Sequence, residues 1–102
     1  MTDKEDKTIN SDGSVTLRLT YPISIDGKPL REITLKRPKV KMLKDVNNMT
    51  GRDEERELQM FGKLTGVNPE ELGELDMYDY QRLQEVYAGF LYRHGPIART
   101  SA

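Results

Sequence analysis

Cysteine and tryptophan are absent from this chain of 102 residues, and His94 is its single histidine. Without cysteine, the chain can form neither a disulfide nor a thiolate metal site. No apolar run approaches the roughly 20 residues that a membrane-spanning helix needs, and the N-terminus lacks the apolar segment of a signal peptide. We therefore expect a soluble, cytosolic protein.

Candidate catalytic groups are few, and none stands in a recognisable motif. His94 has neither a serine or threonine nucleophile nor an orienting carboxylate placed around it, so we interpret it as an exposed residue at a helix end. Asp76 and Asp79 fall at predicted helix starts, where capping explains them, and their spacing matches neither an EF-hand loop nor a two-metal site. We expect no enzymatic activity, no metal and no cofactor. The alternative, a small hydrolase, would need a cleft with converging carboxylates.

Residues 14–37 predict a β-hairpin. Val15, Leu17 and Leu19 alternate with polar residues, which is the period-2 pattern of a half-buried strand. A Tyr-Pro pair interrupts this alternation, and Asp26-Gly27 then offers a turn before the return strand.

Residues 39–92 show helical periodicity instead. A short amphipathic helix is predicted near 39–48, and a second helix ends at Gly66, where glycine can supply the left-handed residue after the last turn. Asn68 followed by proline predicts the start of a third, short helix. The last helix is predicted over 77–92.

These elements predict one α+β domain, in which an N-terminal β-hairpin packs against three or four short helices. We place the domain at residues 14–92, between a flexible N-terminal tail (1–13) and a flexible C-terminal tail (93–102), because both ends lack apolar periodicity. Apolar residues make up 35% of the chain and charged residues 32%. An apolar stripe that so polar a chain cannot cover alone would suit a partner or self-association.

The last predicted helix carries the clearest apolar stripe, backed by two residues of the second helix. Most stripes of this kind are core, but large rings at the end of a small domain can also offer a groove to a partner helix. Both interpretations stay open, and the residues predicted to contact a partner or a second copy are Tyr80, Leu83, Tyr87, Phe90 and Leu91, with Leu58 and Phe61 behind them.

Charge is segregated along the chain. Seven cations lie between residues 28 and 44 against one acid, whereas eleven acids face four cations between residues 45 and 85. Such a division can steer docking between copies or onto a charged partner. It also leaves a second hypothesis, a small nucleic-acid-binding regulatory module, although no aromatic residue interleaves the basic run to stack on bases. The cations of that run are Lys28, Arg31, Lys36, Arg37, Lys39, Lys41 and Lys44.

Four segments follow one another in an informative order. They are the strand 15–23, which reaches Tyr-Pro-Ile; the strand exit 35–38, Leu-Lys-Arg-Pro; the segment 64–72, Leu-Thr-Gly followed by a capped Pro-Glu-Glu-Leu turn; and the closing helix, 75–91. Together they resemble the small tail assembly chaperones of contractile-tailed bacteriophages, including Mu-like phages.

This resemblance implies a non-enzymatic protein of the host cell cytoplasm, made late in infection. It would bind the long, largely helical tape measure protein and keep it soluble until tail tube subunits polymerise around it, and it would be absent from the mature virion. Further partners implied by the family are the tail tube protein, a homo-oligomer and a longer form of the chain made by ribosomal frameshifting. Phe90-Leu91, preceded by Gly89, can be encoded by a run of T, so we place the slippery site there.

Overall fold

The computed structural model describes residues 6–92 and has the predicted α+β class. A three-stranded sheet comes first and helices follow. The elements are β1 (Lys7–Ile9), β2 (Val15–Ile25), β3 (Lys28–Leu35), α1 (Met42–Asn47), α2 (Asp53–Thr65), α3 (Pro69–Leu72) and α4 (Met77–Leu91). The predicted C-terminal tail, and His94 within it, lie outside the described residues.

The predicted hairpin is formed by β2 and β3, which pair antiparallel with Val15 opposite Leu35. Its turn is made by Asp26 and Gly27, both with positive φ angles, of 52° and 79°. A two-residue turn of this kind matches the right-handed twist of the strands it joins, and aspartate followed by glycine is among the few pairs that adopt it without strain. The turn prediction is therefore confirmed.

A third strand, β1, extends the sheet into the segment that was predicted as a flexible tail. Lys7–Ile9 pairs antiparallel with β2, and the sheet order is β1-β2-β3. The backbone N–H of Asn10 donates to Ser14 O at 2.8 Å and closes the connection. This strand was not predicted, because it is three residues long and all three are exposed, so no apolar alternation marks it in the sequence.

The Tyr-Pro interruption in β2 is a break in the strand pairing. Arg18 lies opposite Glu32, and the next pair is Ile23 with Leu30, so β2 holds extra residues between these two pairs. Pro22 in this stretch has no N–H to donate to a neighbouring strand. The irregular stretch leaves backbone N–H groups of β2 without strand partners, and they need acceptors elsewhere.

One face of the sheet packs against the helices and forms a single core. Its most deeply buried members come from β3, α2, α3 and α4, and each is at most 1% exposed. They are Leu35, Phe61, Leu72 and Leu83. The backbone N–H of Lys36 donates to Leu64 O at 3.1 Å and joins the end of β3 to α2.

The helix ends follow the predicted signals. Gly66 ends α2 with a φ of 77°, in the left-handed region. The side chain of Asn68 accepts a hydrogen bond from Glu70 N at 2.8 Å at the start of α3. Asp76 accepts one from Tyr78 N at 2.9 Å at the start of α4. Caps of this kind typically contribute about 1 kcal/mol each.

Candidate partner-binding surfaces

The predicted contact stripe is divided by the fold between core and surface. Phe61 and Leu83 are 0% and 1% exposed, so in this structure they are out of reach of a partner. Leu91, at the end of α4, is 50% exposed. The remaining four are partly buried and pack against the core: Leu58, Tyr80, Tyr87 and Phe90. Contact between this stripe and a partner stays a prediction, and only its partly exposed members could make one without rearrangement.

Phe61 contacts both tyrosines of the stripe. Its ring meets the ring of Tyr80 at 5.8 Å between centroids with an interplanar angle of 82°, and the ring of Tyr87 at 5.6 Å and 85°. Edge-to-face pairs of this geometry contribute about 0.5–1.5 kcal/mol each beyond the burial of their surface. The three rings therefore hold α2 against α4.

Tyr80 also makes a polar contact across the same helices. Its hydroxyl donates to Glu57 Oε1 at 2.6 Å, and Gln84 Nε2 donates to the same oxygen at 3.2 Å. Burial raises the pKa of the Tyr80 phenol, and the hydrogen bond to Glu57 and the negative charge of that carboxylate raise it further. Burial likewise raises the pKa of Tyr87, with smaller contributions from the charges of Glu57 and Tyr92.

The raised pKa of Tyr80 predicts a loss of stability at alkaline pH. Because the unfolded chain releases this proton near the ordinary tyrosine pKa of 10.0, the contribution is fully present below that value and is lost as the pH rises toward the higher pKa of the folded state. We expect the urea midpoint of the wild type to fall more between about pH 9 and pH 11 than that of Tyr80→Phe. Tyr21→Phe, at a 55% exposed tyrosine, is the matched control. Equal falls in wild type and Tyr80→Phe would contradict the prediction.

A groove that was not predicted from the sequence lies between α2, α3 and α4. It has a volume of about 380 Å³ and an apolar floor. The accessible apolar side chains are the partly buried Leu58 and Tyr80 and, at the edge, Met77, whereas the lining residues Leu72 and Leu75 are buried. We call this feature the helix groove. Leu58 and Tyr80 belonged to the predicted stripe, whereas the other three could have been found only from the apolar spacing on both sides of Gly73.

The rim of the helix groove is acidic. Glu54 and Glu57 line it from α2, and no lysine or arginine is among its lining residues. We call the carboxylates of Glu54 and Glu57 the acidic rim. A cationic group on a ligand would meet only carboxylates and amides at this edge.

Asp79 has a different role from the one predicted. The capping interpretation holds for Asp76 but is wrong for Asp79, which is 1% exposed and accepts hydrogen bonds from Thr20 N at 3.0 Å and Tyr21 N at 2.9 Å. These are N–H groups left free by the irregular stretch of β2. Arg82 Nη1 lies 2.9 Å from the Asp79 carboxylate and also donates to Arg18 O at 2.9 Å. The carboxylate is therefore a structural link between α4 and the sheet.

The fold separates the members of the basic run. Lys28 and Arg31 lie on β3, with Lys28 at the hairpin turn. Four others line a recess of about 380 Å³ beside the C-terminal end of α2, where Lys63 joins them, and Lys44 of α1 is not among the lining residues. The cations of the recess are Lys36, Arg37, Lys39, Lys41 and Lys63, with Asp12 and Asp45 as its two acids.

Arg37 is the one member of that recess held by the closing helix. Its Nη2 donates to Phe90 O at 3.4 Å, and its Cζ lies 4.9 Å from the centroid of the Phe90 ring. A guanidinium over an aromatic face contributes about 0.5–1 kcal/mol at an exposed site. These two contacts of Arg37 therefore hold the segment after β3 against the end of α4.

Residues 6–92 contain no group of three or more histidine, aspartate or glutamate side chains placed to hold a metal ion. None of the helices in the same part of the chain has the length and apolar character needed to cross a membrane.

The fold is a small α+β domain, and the helix groove is an open apolar surface between three of its helices. The chain belongs to the family described as "Phage tail assembly chaperone proteins, E, or 41 or 14", whose model matches residues 16–92. The match runs from β2 to the end of α4 and so includes every residue that lines the helix groove, and it confirms the resemblance seen in the sequence. Searches of curated proteins and of solved structures found no match.

Proposed function

We propose that this tail assembly chaperone binds the tape measure protein of its phage in the host cell cytoplasm. It keeps that protein soluble until the tail tube polymerises, then leaves, and it catalyses no reaction. The observation that carries the proposal is the helix groove, which offers a partner an apolar floor within an acidic rim. Membership of the tail assembly chaperone family supports a role in the assembly of a phage tail.

The helix groove suits one face of an amphipathic helix. Met77, which is 66% exposed at its edge, and the partly buried Leu58 and Tyr80 can cover apolar side chains of a partner. Lysine or arginine side chains flanking that apolar face would meet Glu54 and Glu57. Docking of this kind buries little area per copy, so each contact is weak and reversible, and several copies along a long helix would add their affinities.

The longer frameshifted form and contact with the tail tube protein belong to the same proposal. The frameshift hypothesis places the slippery site at Gly89-Phe90-Leu91, near the end of α4. The short and long forms would then share β1 to α4 and the helix groove, and would differ only beyond it. Codons at Phe90 and Leu91 without a run of T would overturn this part of the proposal.

A charge placed in the helix groove should abolish partner binding without unfolding the chaperone. We expect Met77→Asp to reduce co-purification of the co-expressed tape measure protein at least tenfold and to leave that protein insoluble, because a carboxylate would enter an apolar surface already rimmed by acids. The measurement is a pull-down with a solubility assay, at low and moderate salt.

Ile9→Asp is the matched control, because Ile9 is 73% exposed and lies on β1, away from the helix groove. It should bind as the wild type does. Equal binding by Met77→Asp would remove the helix groove from the proposal. Apolar contacts persist in moderate salt, so the tape measure protein should co-purify with the wild type at both salt concentrations.

A further inference from the structure

We propose that the exposed face of α1, together with the basic recess beside it, is a second docking surface that binds an acidic amphipathic helix of a partner protein. This surface is distinct from the helix groove, and the inference does not rest on the proposed function. Its occupant is identified by the charges and the apolar side chains that the surface presents.

Two exposed apolar side chains lie beside two lysines on the turn that begins α1. Leu43 N donates to Val40 O at 3.0 Å, and Lys44 N donates to Lys41 O at 3.2 Å. Hydrogen bonds between residues three apart form a helical turn, so Val40 and Leu43 lie in one row and the two lysines in the next. Val40 is 83% exposed and Leu43 is 66% exposed, so both are open to a partner. We call these four residues the α1 face.

Packing on the other side of the segment keeps the α1 face exposed. Met42 and Val46 pack partly against the core, and Met42 N donates to Lys39 O at 2.8 Å. Turning Val40 and Leu43 inward would pull Met42 and Val46 off the core. The apolar pair is therefore left uncovered by the folded chain itself.

The basic recess continues this surface, and Lys41 belongs to both. The hydrogen bond from Lys36 N to Leu64 O brings the segment after β3 against the end of α2. Lys63 of α2 thereby joins cations that are more than twenty residues away in the chain. The recess thus gathers positive charge that is dispersed in the sequence.

The cations of this surface are available to a ligand. The ion pairs within residues 6–92 are Arg56–Asp53 and Arg82–Asp79, so no cation of the recess or of the α1 face has a carboxylate within 4.0 Å in this part of the chain. Asp12, one of the two acids of the recess, accepts hydrogen bonds from Ser14 Oγ at 2.6 Å and from Ser14 N at 2.9 Å. Carboxylates of a partner would therefore meet ammonium groups that have no partner of their own in the described chain.

The combination of cations with aliphatic side chains favours an acidic helix over a nucleic acid. Proteins that bind single strands stack the bases on aromatic side chains, and neither the recess nor the α1 face contains an aromatic residue. A phosphate backbone would leave Val40 and Leu43 uncovered. An amphipathic helix with carboxylates along the edge of its apolar face would cover this pair and place its charges against Lys41 and Lys44.

The α1 face and the helix groove lie at different ends of α2. Glu54 and Leu58 line the helix groove from the N-terminal half of α2, whereas Lys63 and Leu64 line the recess at its C-terminal end. Leu58 and Lys63 are separated by about 7 Å along the helix axis. The chaperone thus has two apolar surfaces of opposite charge, and one copy can hold two helical segments of opposite charge together.

Binding of designed peptides, followed by fluorescence anisotropy at low salt, tests this inference. The probe is a fluorescein-labelled helical peptide of about 15 residues, with leucine on one face and glutamate along both edges of that face. We expect this peptide to bind. Two altered peptides should bind about tenfold more weakly, one with glutamine in place of glutamate and one with alanine in place of leucine. Lys41→Glu/Lys44→Glu and Val40→Ala/Leu43→Ala should each weaken binding of the original peptide by a similar factor.

The matched control is Lys28→Glu/Arg31→Glu, which makes the same charge change in β3, away from the α1 face. It should bind the peptide as the wild type does, and unchanged circular dichroism would show that every variant is folded. The inference would be overturned by no binding at about 0.5 mM chaperone, by equal binding of the alanine peptide, or by wild-type affinity in either variant of the α1 face.

Two further outcomes would assign the surface to another occupant and would also overturn the inference. One is tighter binding of a single-stranded DNA oligonucleotide that carries the same charge as the peptide. The other is release of the bound peptide as the chaperone concentration rises, which would show that a second copy covers the surface. Since no tape measure protein is present, all these outcomes are separate from the test of the proposed function.

Discussion

Replacing Asp79 by alanine should lower the free energy of unfolding by about 3–5 kcal/mol, the range for breaking a buried, hydrogen-bonded ion pair. The carboxylate is 1% exposed and is the acceptor for Thr20 N, Tyr21 N and the Arg82 guanidinium. Its removal would leave two backbone donors and a largely buried cation without their acceptor. Small domains have only about 5–15 kcal/mol of stability in total, so the variant should be close to unfolding. Urea denaturation followed by circular dichroism measures the loss.

The chain contains its own control for this variant. Asp53 and Arg56 form a pair with the same i,i+3 spacing, but the Asp53 side chain is 92% exposed. Asp53→Ala should therefore have only a small fraction of the effect of Asp79→Ala. Asp79→Asn keeps the side-chain volume and should still be strongly destabilising, because its NH₂ group would face a backbone donor. Similar urea midpoints for the Asp53 and Asp79 variants would contradict the structural role assigned to Asp79.

Phe61→Ala should be comparably damaging, with an expected loss of about 3–5 kcal/mol, because it removes a fully buried ring and leaves a cavity. It would also remove the edge-to-face contacts with Tyr80 and Tyr87 that join α2 to α4. The measurement is again the urea midpoint and slope. Phe61→Leu, which refills most of the space, should recover a large part of the loss.

The Phe61 variant also decides between the two interpretations of the aromatic stripe. If Phe61 is core, stability falls and any loss of partner binding follows from unfolding. Leu91→Ala, at a side chain that is 50% exposed, should change stability by less than about 0.5 kcal/mol. A Phe61→Ala variant of near wild-type stability that fails only in partner binding would contradict the core assignment.

Short sequence patterns predicted the strands, turns and helix ends that form through residues close together in the chain. The alternation of Val15 and Leu17 marked β2, the Asp26-Gly27 pair marked the hairpin turn, and Asn68 marked the start of α3. Each of these depends on a side-chain period or on one residue's φ preference, and both can be read along the chain. The strand β1 was not predicted, because its three residues are all exposed and show no apolar alternation.

The partner-binding surfaces could be predicted only in part. Phe61 and Leu91 were assigned to one stripe, yet the fold buries the first completely and leaves the second half exposed. Helical periodicity shows which residues share a face but not how far a neighbouring element covers it. Leu75 and Met77 were not predicted, because the helix groove exists only where α3 and α4 are folded against α2.

The sequence by itself determined the α+β class, the order of strands and helices, the segregation of charge and the resemblance to the tail assembly chaperones, since these follow from composition, periodicity and motif order. Tertiary structure alone decided the role of Asp79, because a carboxylate near a helix start becomes a buried acceptor only when the irregular stretch of β2 lies against it. It also decided which residues of the predicted stripe belong to the core, because packing buries Leu83 and leaves Leu91, eight residues along the same helix, half exposed.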